Sequence, residues 1–295
     1  MKKLFEKHST GILLSPYVFL FTLFIIIPVV SAIALSFTYF NTIEVPSFIG
    51  LKNYIRLLTS DEVFMKKVLP NTITYSVIVG VGGYILSFFL AWSLSQITKV
   101  PRTILAIIIY SPSMTGGVLI NTIWSVIFNG DKSGYLNYIL LNLGIIDRPI
   151  LWLQSDKYLL PIMIIVSLWS SMGIGFLAIL AGIMNTNEEL YEAAAIDGVK
   201  NRFQEIIYVT IPSAKPQMLF GAVMSIVNSF TSSGVGVALS GSNPTPNYAG
   251  QLIVTHIEDY GFIRYEMGYA AAVSVILLII IQLASTAANK LFGSD

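Results

Sequence analysis

Uncharged polar side chains recur inside otherwise apolar stretches of this sequence, and they are its best candidates for chemistry. Asn121, Thr122 and Ser125 surround Trp124; Ser167, Ser170 and Ser171 flank Trp169; Asn228, Ser229, Thr231, Ser232 and Ser233 follow in a third stretch. Buried amides and hydroxyls cost free energy unless they are paired. They pair with neighbouring helices, as interhelical glue, or with a solute moving between the helices. Hydroxyl-rich solutes suit this mixture: Asn and Ser for hydrogen bonds, an aromatic face for the apolar side of a ring. Singly, each residue fits glue at least as well. Asn228 beside Ser229 favours a solute path, while Trp169 fits core packing or interfacial anchoring equally. The candidate path residues are therefore Asn121, Trp124, Trp169, Ser170, Asn228 and Ser229.

Other chemistries lack their residues. Cysteine is absent, which excludes disulfides and thiol reactions. The two histidines, His8 and His256, are far apart in the chain. No HExxH, no Walker lysine in a glycine-rich loop and no acidic metal cluster occurs. Gly80, Gly82 and Gly83 read as close helix contacts, not as a dinucleotide fingerprint. The chain is expected to be no enzyme and to carry no cofactor or metal of its own. If ATP powers it, ATP and Mg lie on another polypeptide. A net charge of +1 argues against nucleic acid as a partner.

The elements that must position these residues are membrane spans. The chain is 55% hydrophobic and 11% charged, with a mean hydropathy of +0.74; soluble domains are about a quarter charged. Charge-free runs cover 9–43, 68–98, 103–130, 158–187, 216–255 and 267–289. Each exceeds the roughly 20 residues that cross a hydrocarbon core. The expected fold is an all-α integral membrane protein with six transmembrane helices, near 13–38, 71–96, 104–128, 161–183, 217–238 and 268–289. It leaves no room for a separate soluble domain within 1–295. The first apolar run is too long for a signal peptide. Six spans put both termini on one side. Lys2, Lys3, Lys7, Lys99, Arg102, Lys200, Arg202, Lys215 and Lys290 then share the shorter loops, and that density favours both termini in the cytoplasm. Segments 39–70, 129–160 and 239–267 would lie outside, ordered but mostly non-helical.

One polar element stands out between two of the long apolar runs, in the loop 184–216. Thr186 with Glu189 three residues on reads as a capping box. Glu188, Glu189 and Glu192 crowd the first turns, where the helix dipole favours negative charge. Ala193, Ala194 and Ala195 favour helix and permit close approach, and Gly198 suits the position past the helix end. A helix of about three turns is marginal alone in water and needs a partner surface. Phe203, Ile206, Ile207 and Val209 form an apolar stripe expected to pack under the membrane helices. Pro212 and Pro216 mark the return into the membrane.

Glu192-Ala193-Ala194, then Asp197-Gly198, then Ile211-Pro212 and Pro216 resemble the "EAA" loop of binding-protein-dependent ABC importer permeases, in their carbohydrate (MalF/UgpA-like) branch. Ser15-Pro16-Tyr17, then Gly50, Asn53 and Tyr54, then Pro112, Trp124, Phe128, Gly134 and Asn137, and Met267-Gly268-Tyr269-Ala270 extend the resemblance over nearly the whole chain. The resemblance implies a type I ABC importer permease fold in a bacterial or archaeal cell membrane. It implies a second homologous permease subunit, two cytoplasmic ATPase subunits, an extracellular solute-binding protein and a neutral carbohydrate as solute, all amid membrane lipid. It makes the loop a coupling helix seated in a groove of the ATPase, with Glu192, Ala193, Ala194, Asp197, Gly198 and Pro212 as coupling residues. The rival readings are a stand-alone secondary transporter, a membrane scaffold or biogenesis factor, and the same machine carrying another solute. The charge-free spans count against ion-coupled carriers, which usually need an intramembrane ionisable group.

Overall fold

The computed structural model describes residues 2–115 and 117–292, and most of them are helical. Three helices are long and apolar enough to cross a membrane: Leu13–Ser36, Phe64–Ser95 and Met267–Lys290. Two bent pairs bring the number to five if each pair counts as one span: Lys99–Met114 with Leu119–Ile127, and Leu159–Trp169 with Ile174–Met184, the latter bent by 41°. Among the described residues there are thus three to five such spans, not clearly the six expected. The expected span at 217–238 is a helix, Ile211–Phe230, a break at 231–234, and a short helix, Val235–Ser240. Pro212, Lys215, Pro216 and Gln217 dilute its apolar start, and Ser232, Ser233 and Gly234 break its far end.

The breaks have a local cause. Ser170 Oγ donates to Val166 O (3.2 Å) and Ser171 Oγ to Leu168 O (2.8 Å), so the hydroxyls bond the last carbonyls of their own helix before Gly173 lets the chain turn. Prolines leave a second signature. The wide turns Thr22–Ile26, Phe64–Val68 and Ile206–Thr210 each end two residues before a proline, Pro28, Pro70 and Pro212. In each, the residue before the proline donates five residues back rather than four. The proline has no N–H and its ring crowds the carbonyl four residues earlier; a wider turn relieves both.

The chain divides into two compact units. The first is Met1–Asp61 with Ile257–Leu278. Its Leu13–Ser36 helix leaves Phe19, Phe24 and Val30 exposed, as a lipid-facing helix does. A two-stranded antiparallel ribbon follows, pairing Thr38 with Phe48 and Tyr39 with Ser47. Gly50 closes it at φ +62°, and buried Asn53 donates to Ser36 O and Thr38 O, both at 2.9 Å. In the same unit Arg56 pairs with Glu266, and that bond holds the guanidinium above its ordinary pKa. The guanidinium carbon lies 4.4 Å from the Tyr269 ring centre, and Tyr269 Oη donates to buried Asp61 at 2.6 Å.

The second unit is Glu62–His256 with Ile279–Asp295. Its centre is the packing of Leu69–Ser95, Ile174–Met184 and Ile211–Phe230. One apolar cluster gathers Tyr75, Val79, Leu159, Ile162 and Met163; another gathers Phe88, Ala91, Phe176, Ile179 and Met218. Asn71 Nδ2 donates to Tyr248 O (2.9 Å) and Ala249 O (3.2 Å), and Thr72 Oγ1 accepts from Ile253 N (2.9 Å), so this helix end carries the 248–253 segment. Asn137, fully buried, organises 129–152 by bonding Asn129 O, Ile150 O and Trp152 Nε1.

The connecting segments are more helical than expected. Lys52–Ile55, Tyr135–Asn142 and Ile253–Glu258 are helices within 39–70, 129–160 and 239–267. Turn residues mark these segments in the sequence, but buried amides such as Asn53 and Asn137 fold the stretches between them.

A side chain on Gly268 would place its Cβ 2.1 Å from Thr38 O. Gly268→Ala is expected to destabilise the purified protein by about 1–3 kcal/mol, the usual cost of overpacking, read as a lowered midpoint in thermal unfolding in detergent.

Candidate functional site

Two features of the second unit place the sequence candidates. The first is the 184–216 loop. Its helix is Glu188–Ile196, nine residues, or about 13 Å, shorter than expected. The N-cap is Asn187, whose Oδ1 accepts from Glu189 N at 3.2 Å. This corrects the Thr186 capping box: Thr186 Oγ1 instead donates back to Gly182 O (3.3 Å), finishing the preceding helix. At the other end Val199 N donates to Ala194 O (3.0 Å) and Gly198 N to Ala195 O (3.4 Å), with Gly198 at φ +95°. That is the glycine-terminated helix end the sequence indicates.

Glu192, Ala193 and Asp197 are exposed, and Ala194 is half-buried in a groove of about 440 Å³ with Tyr191, Ala195, Lys200, Arg202 and Glu205. Ile196 is 86% exposed and Phe203 70%, with Leu190 also exposed. The expected apolar stripe therefore splits: Ile206 and Val209 are buried, whereas Phe203 and Ile207 are exposed. The wide turn Ile206–Thr210 resets the helical phase between them. Pro212 stands in the first turn of Ile211–Phe230, so the loop leads directly into that helix.

The second feature is a cavity of about 400 Å³ between Leu69–Ser95, Lys99–Met114, the Leu159–Trp169/Ile174–Met184 pair and Ile211–Phe230. Ser170, Asn228 and Ser229 line it, so the structure brings these three candidates together. Asn121, Trp124 and Trp169 do not line it. Asn121 is buried, and Trp124 packs edge-on to Trp169 (5.7 Å) and stacked on Phe128 (5.8 Å). The aromatic wall is instead Tyr75 and Tyr110, which the sequence reading did not single out. A signal existed: Thr72, Tyr75, Ser76, Gly80 and Gly83 recur at helical spacing on one face of an apolar segment.

The cavity has a hydrogen-bonding polarity. Ser113 Oγ donates to Tyr110 O (2.8 Å), Ser171 Oγ to Leu168 O (2.8 Å), Ser225 Oγ to Gly80 O (2.7 Å) and Ser229 Oγ to Ile226 O (2.9 Å). A carbonyl only accepts, so each of these four hydroxyls has spent its proton on backbone and keeps only acceptor capacity. Among the described residues, no Lys, Arg, Asp or Glu lines the cavity. Two glycines back this wall. A Cβ on Gly80 would lie 2.8 Å from Ser229 Oγ, and one on Gly83 2.7 Å from Ser171 Oγ and 2.9 Å from its Cβ.

A helical membrane chain with an uncharged central cavity and a capped loop helix is the architecture of an importer permease. Residues 9–291 match the family described as binding-protein-dependent transport system inner membrane component, and the chain belongs to that family. It is a membrane permease of an ABC-type importer, a transport subunit rather than an enzyme, and related to sugar import permeases. It is 32% identical over 294 residues to the arabinooligosaccharides transport system permease protein AraP of Bacillus subtilis (strain 168), covering 98% of this chain and 90% of that one. It is 32% identical over 274 residues to the probable ABC transporter permease protein YesP of the same organism, covering 92% and 85%. A chain of the bacterial alginate ABC transporter, solved with its alginate pentasaccharide-bound periplasmic protein, superposes with a TM-score of 0.80 at 23% identity, covering 99% of this chain and 96% of that one. That likeness establishes the fold.

Gly80→Ala should push Ser229 into the cavity and cut solute uptake several-fold while the complex still assembles. Uptake by vesicles, normalised to the amount of assembled complex, checks it.

Proposed function

We propose that this chain is one of two homologous permease subunits of an ATP-driven sugar or oligosaccharide importer, forming half of the translocation path. The observation that carries the reading is the cavity itself, lined among the described residues by uncharged polar side chains including Ser170, Asn228 and Ser229. A neutral saccharide supplies many O–H donors to such a wall, and half-buried Tyr110 offers a ring to its apolar side. An anionic solute would find no cationic group here among the described residues. The name of the Bacillus relative, an arabinooligosaccharide permease, supports the same solute class.

In this reading the helix Ile211–Phe230, continued by Val235–Ser240, completes a set of six spans, and both termini lie in the cytoplasm. The Glu188–Ile196 helix then faces the cytoplasm and docks on an ATPase subunit. Its uncovered Leu190, Ile196 and Phe203 support that role, as does the groove beside Ala194. Ala193 and Ala194 set a close approach, and Glu192 and Asp197 meet polar groups of the partner. ATP and Mg bind on the two ATPases, and an extracellular binding protein delivers the solute. ATP-driven closure of the ATPases pushes the loop helix. Pro212 and the Ile206–Thr210 turn pass that push into Ile211–Phe230, whose far end carries Asn228 and Ser229.

Gly198→Val forces a β-branched residue to φ +95° in otherwise open space. The strain is about 1–3 kcal/mol, local to the loop end. The variant is expected to assemble but to lose most of the ATP hydrolysis stimulated by loaded binding protein in reconstituted vesicles; undiminished stimulation would overturn the coupling role. Ile196→Asp puts a charge on the uncovered face and should abolish co-purification of the ATPases while the permease pair stays together, as mass identification of the purified complex would read.

A further inference from the structure

Tyr75 holds three chain segments with one hydroxyl. Its side chain is 2% exposed at one end of the cavity. Tyr75 Oη donates to Ser167 Oγ at 2.7 Å and lies 2.9 Å from Ser232 Oγ. With the tyrosine proton given to Ser167, Ser232 is the donor in the second bond. The result is a relay from Ser232 to Tyr75 to Ser167. Both serines stand where their spans break. Ser167 is in the last turn of Leu159–Trp169, just before the 41° bend. Ser232 lies in the 231–234 break, two residues before Gly234 at φ +71°. Tyr75 itself sits on the unbroken Leu69–Ser95 helix, one turn from Asn71 and Thr72, which carry the 248–253 segment. On this helix the cavity is lined by Tyr75 and, one turn on, Val79, about 6 Å apart.

Resting on the reading of the cavity as the solute path, we infer that Tyr75 is a positioning residue: its hydroxyl relay bolts the two broken spans to the unbroken helix and keeps the cavity closed at the end nearer Asn71. The bonds are of a kind that a polyhydroxylated solute can replace hydroxyl for hydroxyl, so arrival of such a solute and release of the bolt are one exchange. A wall of aliphatic contacts would offer no such exchange. The breaks supply the mobility, because a helix interrupted at serine and glycine bends there at little cost. Among the described residues, no other side-chain hydrogen bond ties Ser232 or Ser167 to the Leu69–Ser95 helix.

The test exploits the absence of cysteine from the sequence. Asn228→Cys is introduced as the sole thiol, and the assembled complex in sealed vesicles is labelled with a membrane-impermeant maleimide added to one face at a time. In the Tyr75→Phe background, which keeps the ring and removes the hydroxyl, labelling from the face nearer Asn71 should quicken about five-fold, corresponding to loss of one net hydrogen bond. Labelling from the opposite face should stay as it was. Ser232→Ala should act in the same direction, and it carries the same readout if Tyr75→Phe does not assemble. Unchanged labelling in both variants, or an equal rise from both faces, overturns the bolt, the latter by showing general loosening. Absence of labelling from either face in every background would instead remove the cavity from the solute path and overturn the reading on which the bolt rests.

Discussion

Three helices of the second unit approach each other almost backbone to backbone, and the functional features follow from that closeness. In lipid, apolar side chains gain nothing by meeting each other rather than acyl chains. Tight van der Waals packing and interhelical hydrogen bonds must hold the helices together instead. Gly175 faces Gly221 so closely that a Cβ on the former would lie 3.2 Å from the latter's Cα, and a Cβ on Gly182 would lie 2.9 Å from that of Gln217. At this spacing the serines of one helix lie against the glycines of the next. Ser225 finds Gly80 O across the contact, and Ser229 turns back on its own helix. The polar, uncharged cavity is what remains where this zipper of small residues opens.

The loop helix and the cavity share an element. Ile211–Phe230 begins at the loop and ends among the cavity serines. Tyr191, on the loop helix, lies with its hydroxyl 3.4 Å from Thr210 Oγ1 at the entrance to that element. Buried Ile206, Val209, Thr210 and Ala214 continue one face from the loop into the helix. A displacement of the loop therefore has a stiff path to the cavity wall, with the wide turn before Pro212 as its softest point.

Much of this was legible in the sequence. Charge-free runs marked an all-α membrane chain, because a long stretch without formal charge suits lipid, although three to five of the six expected spans are long and apolar enough among the described residues. The alanine run and Gly198 located the loop helix, because each of those residues has one strong conformational preference there. The breaks were not legible. Hydropathy averages over a window and is blind to Ser170–Gly173 or Ser232–Gly234, where polar side chains satisfy carbonyls that the helix gives up. The N-cap shifted from Thr186 to Asn187 because Thr and Asn both cap, and the tie was settled by which residue the preceding helix kept. Trp124 and Trp169 stood out as aromatic faces among polar residues, yet they pack on each other. Tyr75 and Tyr110 line the cavity and are inconspicuous in sequence, since a tyrosine inside an apolar run reads as packing until its neighbours in space are known.

The 41° bend has a consequence for what must surround this segment. Leu159–Trp169 and Ile174–Met184 have eleven residues each, about 16 Å apiece, half the hydrocarbon thickness. Neither piece bridges the lipid by itself, and an interrupted backbone facing acyl chains would leave amide groups without partners. The gap is therefore sheltered by protein: Leu69–Ser95 packs against both pieces, and Ile211–Phe230 packs along Ile174–Met184.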